Sequence, residues 1–240
     1  MVGQMAPVIV LLHGFTHTGA SWDPVVAALG ESYRALAPDI RGHGSAAELE
    51  PSLEEVLSDL GSLTTESFEL VGYSMGGRIA LHAALAFAER VKRLVLVSSS
   101  PGIRDADERD ARRAADERLA LEIEGSRIEE FVGRWEGKAL FADQPRRVAE
   151  AARTDRLRNR PAGLAHALRG LGTGALAPVW DRLGELAMPV TVVVGERDPK
   201  FVAIGKEMVA LIPSAKLEIV AGAGHAVHLE RPELLAELIR

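Results

Sequence analysis

The sequence predicts an α/β protein, a mostly parallel central sheet flanked by helices and carrying an inserted helical lid, on three observations. Near-continuous apolar runs rich in Val, Ile and Leu recur along the chain, helical patterns separate most of them, and one long central stretch has helices without strands. A strand covered on both faces needs no polar alternate, so such runs suit a parallel sheet between helix layers joined by right-handed crossovers.

In chain order, "APVIVLLHG" supplies the first strand, closed by glycine, and "SWDPVVAALG" the first helix. "YRALAPD" is the second strand and "SLEEVLSDLGSL" the second helix. "FELVGYS" runs directly into the helical "GGRIALHAALAFAER", and "VKRLVLVSS" follows as the fourth strand. The alternation stops after Val97 and resumes near Val190. Between them the pattern is helical, broken at Gly125, Pro145, Pro161 and "GTGALAP", as expected of a lid inserted into a sheet domain. "PVTVVVGERD", "KFVAIGKEMVALI" and "AKLEIVAGAGH" then restore strand, helix and strand. The expected division is core over residues 1–99, lid over 100–178, and the second part of the core over 179–240.

Bulk composition narrows the function. At 240 residues and 47% hydrophobic, the chain fits one globular domain with an insertion. It has no apolar run of about 18 residues, and "MVGQMAPVIVLLHG" lacks a basic n-region, so the expectation is a cytoplasmic protein without membrane contact. The lack of cysteine excludes disulfides, thiolate catalysis and cysteine-held metal. A net charge of -6 argues against a general nucleic-acid binder. Residues 101–178 nevertheless hold 14 Arg and 1 Lys against 14 acidic residues, leaving the acid surplus elsewhere. Arginine's planar fork suits carboxylates, although mixed signs as in "RDADERDARRAADERLALEIE" also describe a solvated helix face.

Gly72-Tyr73-Ser74-Met75-Gly76 matches G-x-S-x-G between a strand and a helix, the setting of a sharp turn that exposes a serine. A serine hydroxyl needs a histidine to take its proton and a carboxylate to orient that histidine. In the order serine, acid, histidine, Asp198 and His225 each stand in a loop after a strand, where open α/β sheets place their sites. Asp39 is a rival acid but precedes Ser74, so a turn-supporting role in "PDIRGHG" suits it better. His228, three residues past His225, is a rival base, and His82 and His166 read as packed or solvated helix residues. The backbone N–H groups of Phe15, in "LLHGFTHTG", and of Met75 are candidates for stabilising a developing oxyanion. No His pair has a carboxylate at ligand spacing, so neither metal nor cofactor is expected.

With "LLHGFTHTGASW", "PDIRGHGSA", "GYSMGG", "VVVGERDPKF" and "GAGHAVHLERP" in that order, the chain resembles the α/β-hydrolase superfamily over essentially its whole length. Its lid motifs narrow the resemblance. "GYSMGGRIAL", "SSSPGIRDADERDARRAADERLA", "FVGRWEGKALFADQ" and "LRNRPAGLAHALRGLGTGA" are similar to the 2-succinyl-6-hydroxy-2,4-cyclohexadiene-1-carboxylate synthases of menaquinone biosynthesis. That resemblance implies a pyruvate-eliminating lyase acting on an anionic cyclohexene that bears succinyl and enolpyruvyl groups. It also implies carboxylate contacts from Arg78, Arg112 and Arg158, and a pocket lined by Tyr73, Trp135 and Phe141. The partner expected is that anionic small molecule, bound by a monomer or small homo-oligomer. A carboxylesterase or carbon-carbon bond hydrolase using the same triad is the alternative, and a non-catalytic binding protein a third.

Overall fold

The apolar runs form strands because their alternate residues find apolar partners on two different sides. The computed structural model describes residues 6–141 and 144–240. The first five residues of the N-terminal stretch, and residues 142–143 of "FVGRWEGKALFADQ", lie outside the described residues. Strands β1 (Val8–Leu12), β2 (Arg34–Leu36), β3 (Phe68–Tyr73), β4 (Val91–Val97), β5 (Val190–Gly195) and β6 (Ala215–Val220) pair in parallel in the order β2-β1-β3-β4-β5-β6. Register aligns Val10 with Leu70 and Leu70 with Leu94 across three strands.

One face of the sheet presents Val10, Leu12, Leu70, Leu94 and Val192 to helices α2 (Leu53–Leu63), α3 (Met75–Ala86) and α8 (Pro199–Leu211). The other presents Ile9, Leu11, Val71, Val95 and Val193 to α1 (Asp23–Leu29) and the C-terminal α10 (Pro232–Ile239). Both faces are therefore apolar, which is the physical origin of runs without polar alternation. The exceptions are β2 and β6, which are not buried on both faces. They are the sheet edges, and most of their residues are half-exposed or exposed. Helix α10 and the preceding turn α9 (Val227–Glu230) were absent from the expected helices, although Pro232 at the first turn with Leu235, Ala236 and Ile239 buried is a recognisable start and stripe.

Among the described residues, four α-helices lie between β4 and β5: α4 (Ala106–Glu124), α5 (Ile128–Glu136), α6 (Arg146–Arg156) and α7 (Pro161–Leu171). Their ends coincide with the expected breakers. Gly125 caps α4, Pro145 precedes α6, and Pro161 opens α7, where its missing N–H is no loss. Helices α4, α5 and α7 share a small apolar cluster of their own, with Ala120, Ile123, Phe131, Val132, Leu164 and Leu168, whereas Val148 and Ala152 of α6 join the cluster that covers the Ile9 face of the sheet. Among the described residues, no helix is long and apolar enough to cross a membrane.

Candidate active site

Strand β3 ends at Tyr73 and α3 begins at Met75, leaving a single residue to turn the chain. Ser74 makes that turn with φ 51° and ψ -109°, a left-handed conformation that side chains resist. It is held there by its N–H to the Val97 carbonyl at 2.9 Å and by the Ser99 hydroxyl donating to the Ser74 carbonyl at 3.0 Å. The turn closes only because of glycine. A Cβ on Gly72 would lie 2.5 Å from the Gly76 carbonyl oxygen, and one on Gly76 would lie 2.5 Å from that of His13.

The hydroxyl so exposed meets the predicted partners. His225 follows β6 and Asp198 follows β5. The His225 Nδ1–H donates to Asp198 Oδ2 at 2.6 Å, and the Ser74 hydroxyl donates to His225 Nε2 at 3.2 Å. Because an ionised carboxylate only accepts, Asp198 fixes the tautomer that leaves Nε2 free to receive a proton. His225 and Asp198 are both buried. Asp198 also accepts from the Phe201 N–H at the start of α8.

The two loops carrying acid and base are fastened to each other. The Arg197 N–H donates to the Ala223 carbonyl at 2.9 Å, and the Glu196 N–H to that of Val220 at 3.0 Å. Glu230, buried, accepts from the Gly224 N–H at 2.9 Å and from Arg197 at 2.9 Å, one residue before His225 and one before Asp198. Nothing short of this whole arrangement in space would have singled out Glu230 from sequence.

The rivals stand elsewhere. Asp39 accepts from the Gly19 N–H, the Ser45 N–H and the Ser45 hydroxyl, tying a turn. His228 is fully buried between Trp22 and Tyr73, with ring centroids at 4.9 and 4.1 Å, and neither ring nitrogen has a partner among the described residues. Burial holds its pKa well below the ordinary histidine value.

A cavity of about 840 Å³ opens over Ser74 and His225. Phe15 and Met75 line it beside the serine, and Met75, first in α3, has an N–H with no carbonyl a turn earlier to receive it. Arg78 and Arg112 line it as well. Arg78 is 7% exposed and makes no hydrogen bond or ion pair among the described residues. Burial, and then the nearby Arg112 charge, lower its pKa to about 10. Arg112, on α4, donates to Asp116 at 2.8 Å while remaining at the cavity wall. Trp135, on α5, lines the cavity too, with the Lys138 ammonium 3.7 Å from its ring centroid.

Three expected pocket residues are not in the cavity wall. Arg158 lies past the end of α6, 60% exposed at its side chain, lining a separate surface groove with Asp39 and Arg160. Tyr73 points to the opposite side of the sheet, as strand alternation demands of a residue two after Val71, and packs under His225 at 5.3 Å. Phe141 sits behind Trp135, its ring centroid 6.3 Å away, and its other neighbour is Arg156 at 4.7 Å. Arg156 was missed in the sequence. It is completely buried, and among the described residues none of its three guanidinium nitrogens has a hydrogen bond and its nearest carboxylate contact is Glu136 at 3.5 Å. Lys138 and Lys200, which also line the cavity, were missed because a single lysine carries no pattern.

Comparison with known proteins agrees with this geometry. Residues 9–238 match the model of the Alpha/beta hydrolase family. A Bacillus subtilis (strain 168) relative, provisionally named 2-succinyl-6-hydroxy-2,4-cyclohexadiene-1-carboxylate synthase, is 40% identical over 96% of this chain and 88% of its own length. The synthase of that name from Salmonella schwarzengrund (strain CVM19633) is 31% identical over 100% of this chain and 97% of its own. Among solved structures, MenH from S. aureus superposes with a TM-score of 0.93 at 32% identity, over 99% of this chain and 93% of that one. A serine turn with its acid and histidine in superfamily order, a family match over residues 9–238 and relatives aligned over nearly the whole chain place this protein in the Alpha/beta hydrolase family and, within it, among the 2-succinyl-6-hydroxy-2,4-cyclohexadiene-1-carboxylate synthases.

Proposed function

We propose that this chain is a carbon-oxygen lyase that eliminates pyruvate from 2-succinyl-5-enolpyruvyl-6-hydroxy-3-cyclohexene-1-carboxylate to give 2-succinyl-6-hydroxy-2,4-cyclohexadiene-1-carboxylate. The observation that carries this reading is Arg78. A buried guanidinium that makes no hydrogen bond or ion pair among the described residues, with the Asp116 carboxylate nearby already bonded to Arg112, and that faces the same cavity as Ser74, is suited to an anionic ligand, and a carboxylate-bearing substrate supplies one. Residues 100–178 act as the lid, since Arg112 and Trp135 reach the cavity from them while Ser74 and His225 come from the core.

In this reading Ser74, Asp198 and His225 form the catalytic triad, but no acyl-enzyme forms. The Ser74 hydroxyl passes its proton to His225 Nε2 as its oxygen removes the ring proton α to the succinyl ketone. The N–H groups of Phe15 and Met75 hold the resulting enolate oxygen. Collapse of the enolate forms the C2–C3 double bond, shifts the C3–C4 double bond to C4–C5, and breaks the C5–O bond. The departing enolpyruvate takes a proton and ketonises to pyruvate. Asp198 stabilises the imidazolium that exists between the two proton transfers.

The test is continuous measurement of pyruvate with freshly prepared substrate. Wild-type enzyme releases pyruvate in a 1:1 ratio to diene, and Ser74→Ala slows the release by about 10³-fold or more. Absence of release by the wild type, with p-nitrophenyl acetate turned over in its place, would sink the lyase reading and leave an esterase.

A further inference from the structure

The loop that carries the Phe15 N–H is strained, and the residues that hold it belong to the lid. Thr16, next in sequence to Phe15, has φ 71°. For a β-branched residue this left-handed conformation is a genuine outlier, and its side-chain oxygen is buried without a partner among the described residues. Such strain of about 1–3 kcal/mol persists only where the surroundings over-determine it.

Besides the turn bond from the His17 N–H to the Gly14 carbonyl at 3.1 Å, the surroundings here are two side chains, Asp155 in the last turn of α6 and Asn159 three residues past its end. Asn159, 4% exposed, donates from Nδ2 to the Thr16 carbonyl at 2.7 Å and to the Arg156 carbonyl at 3.1 Å, while its Oδ1 accepts the Gly44 N–H at 3.0 Å. Asp155 Oδ2 accepts from the His17 Nδ1–H at 2.8 Å and from the Thr18 N–H at 3.0 Å, and Oδ1 accepts from the Thr18 hydroxyl. Burial acts to raise the Asp155 pKa, but the bonds from His17 and Thr18 outweigh it and hold the group below the ordinary carboxylate value. Three consecutive residues, 16, 17 and 18, are thus pinned from the lid. On the other side of Phe15, Gly14 lies against the reactive turn, since a Cβ there would sit 3.4 Å from Ser74 Cβ and 2.7 Å from the Tyr73 ring. Among the described residues the Phe15 N–H has no acceptor.

We propose that Asp155 and Asn159 are positioning residues for the oxyanion donor: by locking residues 16–18 in a strained path, the end of α6 aims the Phe15 N–H at the oxygen on which negative charge develops. This rests on the assignment of Phe15 as a donor under the proposed function. It makes the last turn of α6 a structural part of the catalytic machinery, distinct from the substrate-facing α4 and α5.

The experiment measures three things on Asn159→Ala and Asp155→Ala: kcat and KM for pyruvate release, the rate of Ser74 labelling by a fluorophosphonate, and thermal melting. The phosphoryl oxygen of the label draws on the same N–H donors, so labelling reads the donor whatever the natural substrate. Both variants are expected to lose about 10- to 100-fold in kcat and in labelling rate, with KM within about 2-fold, a fraction of what deleting a donor outright costs. Should Asp155→Ala fail to fold, Asn159→Ala, which removes uncharged bonds only, carries the test. Raised KM with unchanged kcat would mean that this segment shapes binding alone, and unchanged labelling would mean that the donor is not displaced; either overturns the proposal. A wild type that is labelled but releases no pyruvate defeats the proposed reaction and leaves the positioning role to be decided by labelling.

Discussion

Arg78 and Arg158 show how far identity at the level of single residues depends on direction. Both are arginines near motifs of the family, yet one is buried toward the reactive serine and the other stands in solvent on a different groove. Arg78→Met is expected to raise KM for the carboxylate substrate about 10- to 100-fold, the worth of one lost charge-assisted pair, with Arg78→Lys recovering only part because an ammonium lacks the planar fork. Arg158→Ala is expected to leave kcat and KM within about 2-fold; steady-state pyruvate release reads all three variants. The triad was legible because Ser74, Asp198 and His225 each follow a strand, and strand ends can be read from apolar runs. The direction of Arg158 was not, because it lies two residues past the end of α6, in a turn that no periodicity orients, while Arg156, the last residue of that helix, is the one buried. Periodicity gives spacing, but it does not give the phase of a short polar helix.

Elements were legible in proportion to how strongly they are buried. Strands β1, β3, β4 and β5 carry near-continuous apolar runs, broken only by Glu69, Lys92, Arg93 and Thr191, since both sheet faces are covered, and each lies within its predicted stretch. The edges β2 and β6 are shorter or half-exposed, and sequence overstated their burial because an edge strand differs from a central one only in what pairs with it. In the insertion, the breakers at Gly125, Pro145 and Pro161 mark helix ends through backbone chemistry that needs no tertiary context. Helix α3 stops at Ala86, short of the predicted stretch to Arg90, because Phe87 leaves helical geometry while its N–H still bonds the Ala83 carbonyl. What could not be read was which lid helix reaches the core loop, since the bonds of Asp155 to His17 and Thr18 join residues more than 130 apart.

At the scale of the whole molecule, the buried histidines set a pH limit on stability. Burial lowers the pKa of His13 to about 4 and of His43 to about 3, and also lowers those of His17 and His228. Each has a folded pKa below its unfolded value near 6.5, so between the two the unfolded chain binds more protons. Stability is full above about pH 7 and declines as pH falls through 6.5, at up to about 1.4 kcal/mol per pH unit for each histidine. Melting temperatures at pH 5, 6, 7 and 8 are expected to drop steadily on the acid side, and His43→Phe is expected to flatten the decline. The side chain of Phe15 adds a different consequence. It packs against both the sheet's main apolar cluster and the smaller one within the lid, and meets Trp135 edge-on at 5.3 Å. The smaller cluster has less apolar area to lose before it opens. Once it does, that ring loses half its packing and the amide beside it loses its aim. In rising urea, catalysis therefore fails before the circular dichroism of the sheet begins to change, and the enzyme is silenced while most of it is still folded.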